Sequence, residues 1–283
     1  MGSLGARDRA LLETGLPVLR SCRLADGATI DYRESGPRDG APLILLHGLG
    51  SHSAGWRGVI AALSDRFRVV AWDAPGFAGS TPLAEDRPGV SNYARRVLAL
   101  ADGLGIGRFH LAGSSWGAVI AAATAVAAPD RIAGLILLVP NLCLGGLPPD
   151  DRQAALDMLS APGLVLDAAP RDFAAMLTAP DTEEPALGLA RTLKDQTRAG
   201  GYAQAVRMMG ATDTLAFAPS ITQETLVLAG GLDQLAPAAQ HAGPIAKAIP
   251  SARLEILEGF GHLLKLEAAA RVADAIRGHL DRP

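Results

Sequence analysis

Short apolar runs that alternate with helix-like segments are the feature that most constrains the fold of this chain. Aliphatic residues fill the runs at 41–48, 67–76 and 132–140, and each run stops at a glycine or a proline, as buried strands do. Segments with helical spacing, such as residues 92–105, separate these runs. This alternation predicts repeated strand–helix–strand units, and therefore a mostly parallel sheet with helices on both faces.

Two departures from this rhythm divide the chain. Residues 21–36 alternate apolar and polar positions around Asp26-Gly27, which is typical of a β-hairpin. Residues from about 141 to 216 contain no convincing strand pattern, and the strand pattern returns at 224–237 and 252–259. The sequence therefore predicts an α/β core formed by residues 1–140 and 217–283, with a helical insertion at 141–216.

Composition excludes several classes of protein. The chain has 283 residues, of which 49% are hydrophobic, and its formal net charge is −3. Without a basic stripe, neither nucleic acid nor an anionic membrane is expected as a partner. Cys22 and Cys143 lie far apart, so no disulfide framework or thiolate metal site is expected. No apolar leader or membrane span is seen, and we expect a cytoplasmic enzyme of unknown oligomeric state.

The stretch LAGSSWGA at 111–118 carries the candidate nucleophile. It lies between an apolar run and a helical pattern, where a nucleophile at the top of a parallel sheet occupies a strained turn. The positions two before and two after such a residue must be small. Ser115 is flanked in this way by Gly113 and Gly117, whereas Ser114 has Trp116 at the second position after it. Ser115 is therefore predicted to be the nucleophile.

A serine hydroxyl needs an imidazole to take its proton and a carboxylate to orient that imidazole. His262 follows the last predicted strand in a glycine-flanked loop, at the sheet edge to which Ser115 also points. Asp233 follows another strand in the glycine-rich stretch LAGGLDQLAP, while the rival position after 132–140 holds Asn141, which carries no charge. The order Ser115, Asp233, His262 is that of an α/β-hydrolase triad.

A tetrahedral intermediate also needs two N–H donors. One is expected from Trp116, the residue after the nucleophile, and the other from Leu49 in LLHGLGSHS, where His47-Gly48 turns the chain sharply. We interpret His47 as an anchor of this loop. His52, in the same loop, is predicted to line the site without acting as the base.

Together these stretches resemble the α/β-hydrolase superfamily. The pieces that carry the resemblance are LLHGLG, VVAWDAPGFAGS, LAGSSWGA, LAGGLDQLAP and EGFGHLLKLE, in the family's order and over nearly the whole chain. The chain looks most like small capped members such as enol-lactonases, meta-cleavage-product hydrolases, proline iminopeptidases and cofactor-free haloperoxidases. The resemblance implies an eight-stranded α/β core, a helical cap at 141–216, and neither a metal nor an organic cofactor.

The subfamilies differ at recognisable positions. Haloalkane dehalogenases and epoxide hydrolases carry aspartate where this chain has Ser115. Proline iminopeptidases hold the substrate amine with acidic cap residues, a role for which Glu183 and Glu184 are the candidates, although their surroundings read as a solvated loop. Meta-cleavage-product hydrolases usually carry another oxyanion loop and a methionine at the position of Trp116. These departures favour an ester or lactone substrate over an amide or a carbon–carbon bond.

The inserted segment is expected to shape selectivity. Met208 and Met209 are predicted to contact a small, largely apolar substrate. The segment's other large apolar residues are also candidates, although packing of the segment onto the core explains them equally well: Leu142, Leu144, Leu147, Met158, Leu159 and Met176. Several basic side chains are candidates to hold a substrate carboxylate, with surface placement as the default for each: Arg152, Arg171, Arg191, Lys194, Arg198 and Arg207. The sequence thus predicts a serine hydrolase of carboxylic esters or lactones, with a ligand receptor of the same fold as the non-enzyme alternative.

Overall fold

The computed structural model describes residues 4–160, 173–193 and 197–282. One sheet of eight strands lies at its centre: β1 (Leu19–Arg23), β2 (Thr29–Ser35), β3 (Ala41–Leu46), β4 (Phe67–Trp72), β5 (Phe109–Ser114), β6 (Ile132–Leu138), β7 (Thr225–Gly230) and β8 (Ala252–Leu257). Their order across the sheet is β1-β2-β4-β3-β5-β6-β7-β8. The predicted eight-stranded α/β architecture is confirmed.

The direction of the strands follows the sequence pattern. Strands β1 and β2 form the hairpin expected around Asp26-Gly27, and β2 also pairs antiparallel with β4. All other neighbours pair parallel. The carboxyl ends of β3, β5, β6, β7 and β8 therefore meet at one edge of the sheet, which is where ligands bind in open α/β sheets.

Helices flank this sheet and fill the segment between β6 and β7. They are α1 (Ala6–Glu13), α2 (Arg57–Leu63), α3 (Val90–Gly103), α4 (Trp116–Ala127), α5 (Pro149–Ser160), α6 (Phe173–Leu177), α7 (Ala186–Leu193), α8 (Ala199–Ala211), α9 (Thr214–Phe217), α10 (Ala242–Ala248), α11 (Leu264–Glu267) and α12 (Ala269–Leu280). Short 3-10 helices occur at Ser53–Trp56, Pro129–Arg131 and Ala218–Ser220.

Two apolar layers cover the faces of the sheet, because successive side chains of a strand point to opposite sides. Ile44 of β3 belongs to the layer formed with α3, α4 and α10, whereas Leu45 belongs to the layer formed with α2 and α12. Both side chains are fully buried. Helix α4 carries one polar side chain, the buried Thr124, and this explains why it can lie between the sheet and its neighbours directly behind the turn of Ser115.

The segment 141–216, which we call the inserted segment, differs from this core. Its described residues form helices α5 to α8 and the start of α9, and their one β contact is an isolated bridge between Thr197 and Phe77. Met158 is 59% and Met176 53% exposed, so large apolar side chains of this segment remain open to solvent. Of the helices described, none combines the length and the apolar character required to cross a membrane.

Candidate active site

Ser115 occupies the turn that joins β5 to α4, at the carboxyl edge of the sheet. Its backbone has φ 55° and ψ −119°, a region that non-glycine residues rarely adopt. The Ser115 N–H donates to the carbonyl of Leu138 at 2.8 Å, which ties the strained residue to the end of β6. Strain of this kind persists where the surroundings enforce it, and it is concentrated at functional sites.

Glycines on either side of the turn make this geometry feasible. A Cβ at Gly113 would lie 2.2 Å from the carbonyl oxygen of Gly117, and a Cβ at Gly117 would lie 2.4 Å from that of His47. Both obstacles are backbone atoms, which cannot rotate aside as a flexible side chain can. The small-residue requirement read from the sequence is therefore a steric one at both positions.

His262 and Asp233 form a buried pair in the loops that follow β8 and β7. His262 Nδ1 lies 2.7 Å from Asp233 Oδ2, and the other carboxylate oxygen accepts N–H groups from Leu235 and Ala236 at 3.0 and 2.9 Å. Burial alone would raise the pKa of Asp233, but the hydrogen bond and charge of His262, together with those two N–H donors, lower it. The carboxylate thus stays ionised and fixes the orientation of the imidazole.

A glycine lets the two loops meet. A Cβ at Gly230, the last residue of β7, would fall 2.1 Å from the carbonyl oxygen of Gly261. The absence of a side chain at 230 brings the backbone before His262 against the end of the strand that leads to Asp233.

Glu267, which the sequence reading did not single out, holds the loop of His262 in place. Its carboxylate accepts N–H groups from Gly261 and Leu263 on either side of the histidine, and from Ala179 of the inserted segment at 2.6 Å. Thr182 adds a hydroxyl at 2.9 Å. Burial raises the pKa of Glu267, and these donors act in the opposite direction. The signal in the sequence is a lone acidic residue five positions after the histidine.

His47 anchors the loop that approaches Ser115 from β3. The ring is fully buried, Nδ1 lies 2.8 Å from the carbonyl oxygen of Gly48, and Nε2 accepts the N–H of Ala74 at 2.9 Å. Burial lowers the pKa of His47 to about 3, so the ring is neutral and serves as a fixed link between two backbone segments. Gly48 follows it, where a Cβ would come within 3.4 Å of the Ser115 Cβ.

The residues expected to supply the oxyanion donors lie on the wall of one cavity. Leu49 and Trp116 both line the cavity onto which Ser115 opens. Trp116 is the first residue of α4, so its N–H precedes the helical hydrogen-bond pattern and has no acceptor within the helix. The positive end of the α4 dipole lies at this same point, which favours a negative oxygen there.

A cavity of about 630 Å³ lies between the sheet edge and the inserted segment. Ser115 and His262 share its wall with mainly apolar side chains, and the inserted segment contributes Met158, Met176 and Met209 to it. Polar side chains come from both parts of the wall, with the three serines and the two histidines on the core side. The cavity can therefore accept an apolar substrate whose reacting group faces the core.

Two further polar residues on the wall are not among the site residues that the sequence predicts. His241, beside α10, accepts the Leu142 N–H at 3.3 Å through Nδ1, and burial lowers its pKa. Lys265, the second residue of α11, is 2% exposed, and its Nζ lies 3.4 Å from the Ser114 hydroxyl. Burial lowers the pKa of Lys265 to about 8. No local pattern distinguishes this lysine from an exposed one.

Two of the predicted substrate contacts lie away from this cavity. His52 turns aside after Gly50, which has φ 67°, and lines a separate cavity of about 260 Å³ beside Arg33 and Arg57. Met208 is fully buried in the core layer, whereas Met209, about 100° further around α8, reaches the cavity. The helix phase separates the two methionines, and it depends on how the whole segment packs.

The charged candidates of the inserted segment are also mostly remote. Glu183 and Glu184 are exposed and lie near Arg9 and Arg191, and neither is among the residues that line the cavity. Arg191 does line the cavity, while Arg207 pairs with Asp86 on the outside. Arg171 and Lys194 lie outside the described residues. The described residues contain no cluster of three or more His, Cys, Asp or Glu side chains that could hold a metal ion.

Comparison with known proteins agrees with this geometry. A sequence model of the alpha/beta hydrolase fold family matches residues 41–269, and the chain belongs to that family.

Two curated relatives cover most of the chain. The dihydrolipoyllysine-residue acetyltransferase component of an acetoin cleaving system from Pseudomonas putida is 31% identical over 87% of this chain, which spans 65% of that protein's length. The magnesium-chelatase 30 kDa subunit of Rhodobacter capsulatus is 27% identical over 88% of this chain and 89% of its own. The relatives' names thus describe different activities on similar chains.

Solved structures extend the comparison. A hydrolase from Pseudomonas aeruginosa PA01 superposes with a TM-score of 0.81 at 27% identity and covers 93% of this chain and 98% of its own. The enol-lactonase from Burkholderia xenovorans LB400 gives a TM-score of 0.76 at 26% identity, over 93% of this chain and 100% of its own. The likeness therefore extends over almost the entire fold.

Proposed function

We propose that the protein is a serine hydrolase of carboxylic esters or lactones that works through an acyl-enzyme. The observation that carries the proposal is that Ser115, on its strained turn, opens onto the same cavity as His262, whose Nδ1 lies 2.7 Å from Asp233. A nucleophile, a base and an acid that orients the base are the parts that acyl transfer requires.

Each step follows from these positions. Ser115 Oγ forms a bond to the carbonyl carbon while its proton moves to His262 Nε2, and Asp233 stabilises the imidazolium through Nδ1. The bond from the carbonyl carbon to the alkoxy oxygen then breaks, and the Nε2 proton passes to the departing alcohol. Water repeats the sequence on the acyl-enzyme, with His262 taking its proton, and the free acid and Ser115 are released. In a lactone, alcohol and acid leave as one molecule.

Negative charge on the carbonyl oxygen is assigned to the N–H groups of Leu49 and Trp116. Both residues line the cavity beside the nucleophile, and His47 holds the loop of Leu49 by bonds at both ring nitrogens. Donors that are already in place need no rearrangement as the charge develops, and losing one typically lowers kcat by about 10²–10³.

The inserted segment is assigned the role of a cap over this site, with residues 1–140 and 217–283 as the core. Its methionines on the cavity wall are flexible side chains that adapt to irregular apolar groups. This favours a substrate whose acyl or alcohol part is largely apolar. The similarity to an enol-lactonase lends support to a lactone as one such substrate.

The test is turnover of 4-nitrophenyl esters of increasing acyl length and of a simple enol lactone, by the protein and by Ser115→Ala. We expect sustained turnover of at least one substrate and a fall of more than 10³ in kcat on removing Oγ. Release of a single equivalent per protein molecule would instead favour a ligand receptor. Turnover that survives in Ser115→Ala would overturn the assignment of the nucleophile.

A further inference from the structure

Lys265 is a cation in the wall of the cavity with no acid beside it. The described residues that line the cavity include Lys265 but no aspartate or glutamate; Arg191, which also lines it, pairs with the exposed Glu184. Lys265 is 2% exposed, and burial without any compensating charge is what lowers its pKa, to about 8, so that it is still mainly protonated at neutral pH. Ammonium groups this deeply buried are ordinarily paired.

The nearest acidic residue along the chain is already committed. Glu267 lies two positions later, and its carboxylate accepts donors from Gly261, Leu263, Ala179 and Thr182. Within the described residues, Lys265 forms no ion pair. Its ammonium lies 3.4 Å from the Ser114 hydroxyl and 5.5 Å from the centre of the Trp56 ring. A hydroxyl and an aromatic face partly solvate a cation but do not neutralise it.

A second hydroxyl lies close to the same place. A Cβ on Gly55 would lie 2.8 Å from Ser51 Oγ and 3.1 Å from Lys265 Cε, so the side chains of Ser51 and Lys265 are neighbours. Ser51 also lines the cavity, and its buried hydroxyl finds no partner within the described structure. Ser51, Ser114 and Lys265 thus form a polar end, which we call the basic pole, in a cavity that is otherwise mainly apolar.

We propose that the basic pole binds a carboxylate of the substrate, so that the ester or lactone hydrolysed at Ser115 carries a negative charge a few bonds from the reacting carbonyl. The inference rests on the proposed function. It names the substrate class as acidic rather than neutral, and it assigns to Lys265 a role in specificity. A carboxylate would supply the missing counter-charge and accept hydrogen bonds from the ammonium and from Ser51.

The position of the pole limits the substrate further. Ser114 immediately precedes the nucleophile, so the carboxylate and the scissile carbonyl must sit on the same small molecule and not at opposite ends of a long chain. The methionine-lined wall would then receive the remaining, apolar part.

The experiment compares acid and neutral substrates of one shape. The probes are 4-nitrophenyl monoesters of unbranched dicarboxylic acids with about six or seven carbons, each beside the ester in which the second carboxylate is a primary amide. Charge is then the main difference within a pair. We expect kcat/KM to favour the acid at least tenfold at the best length, and Lys265→Met to reduce this ratio at least tenfold, mainly through KM.

Controls separate this role from a structural one. Lys247→Met removes the same charge from an exposed position of α10 and should leave the acid-to-amide ratio unchanged. A lysine that merely supported the fold would, when removed, slow both substrates equally. If Lys265→Met does not fold, Lys265→Gln and inhibition of the unaltered protein by the free diacid against its diamide give the same comparison.

The outcomes are distinct. A ratio near one at every length, or a preference that persists in both Lys265 variants, overturns the basic pole while the amide esters still report a working hydrolase. Failure to turn over either series, together with no reaction of Ser115 with a fluorophosphonate, overturns the proposed function, and the basic pole falls with it.

Discussion

Helices α4 and α5 show how differently the two parts of the molecule are built. Nine of the twelve residues of α4 are buried, and the helix holds the turn of Ser115 from behind. None of the twelve residues of α5, in the inserted segment, is buried. Close packing in the core therefore restricts the position of Ser115, whereas the inserted segment contributes one wall of the cavity. Changes in the core should alter rate and folding, and changes in the segment should alter which substrate fits.

The largest expected effect belongs to the core pair. Asp233→Asn keeps the shape of the side chain but removes the charge that supports an imidazolium and selects the tautomer of His262. We expect kcat to fall by about 10⁴ with KM little changed. Steady-state kinetics on the best ester would measure it, and a loss below tenfold would show that another group acts as the acid.

Steric confinement gives the next effect. In Gly117→Ala the new Cβ would lie 2.4 and 2.5 Å from the carbonyl oxygens of His47 and Leu46. We expect a loss of about 3 kcal/mol in the free energy of unfolding, at the upper end of overpacking effects. The matched variant Gly200→Ala, at an exposed position in the first turn of α8, meets no atom within 4 Å and should gain about 0.5 kcal/mol. Urea denaturation of both variants checks the contrast, and equal effects would contradict it.

Acid should weaken the core rather than the inserted segment, since all six histidines lie outside residues 141–216. Burial lowers the pKa of His47, to about 3, and also that of three others, His110, His241 and His279. Below pH 6.5 these histidines bind protons in the unfolded chain but not in the folded protein, so the free energy of unfolding falls as pH falls. For His47 alone the limit is about 1.4 kcal/mol per pH unit.

Two core groups oppose this trend. Burial raises the pKa of Asp73, to about 6, and also that of Glu267, so the native state binds these protons first and gains stability as pH falls. Two carboxyls against four imidazoles leave a net loss. Denaturation curves at pH 7.5, 6 and 5 should show decreasing stability, and His47→Gln should flatten the slope. A stability that rises on acidification would contradict the assignment of neutral histidines.

The smallest effect belongs to the inserted segment. Met209→Ala enlarges the cavity and leaves the turn of Ser115 unchanged, so kcat for a short ester should stay within twofold of its original value. KM for the best acyl chain should rise less than tenfold, as the loss of a few apolar contacts implies, and the optimum should move to a longer chain. Met208→Ala is the control, because Met208 is buried in the core layer and should affect stability instead of chain length.

Local sequence was sufficient for the parts of the site that sit on strand ends. Ser115, Asp233 and His262 each follow an apolar run and a glycine, and that pattern places them at one edge of a parallel sheet. The fold could be read for the same reason. Lys265 and Glu267 lie within five residues of His262, yet their burial depends on segments that are distant in sequence. Lys265 packs against the 3-10 helix Ser53–Trp56, and Glu267 accepts the N–H of Ala179.

Side chains of the inserted segment were harder to place. The rotation of α8 about its axis decides whether Met208 or Met209 reaches the cavity. A periodic apolar pattern does not determine that rotation to within one residue. His52 lines a separate cavity, and the positive-φ Gly50 two residues before it, which sets the course of the loop, has no signature in the apolar pattern.

The backbone at Ser115 also limits how the protein can evolve. At φ 55° a side chain branched at Cβ is strongly disfavoured, so threonine, valine and isoleucine are rejected at this position before their chemistry is tried. Cysteine and aspartate, which branch later or not at all, remain accessible by descent. The turn thus filters mutations by shape, and new reactions on this scaffold must come from a short list of nucleophiles or from changes in the residues around them.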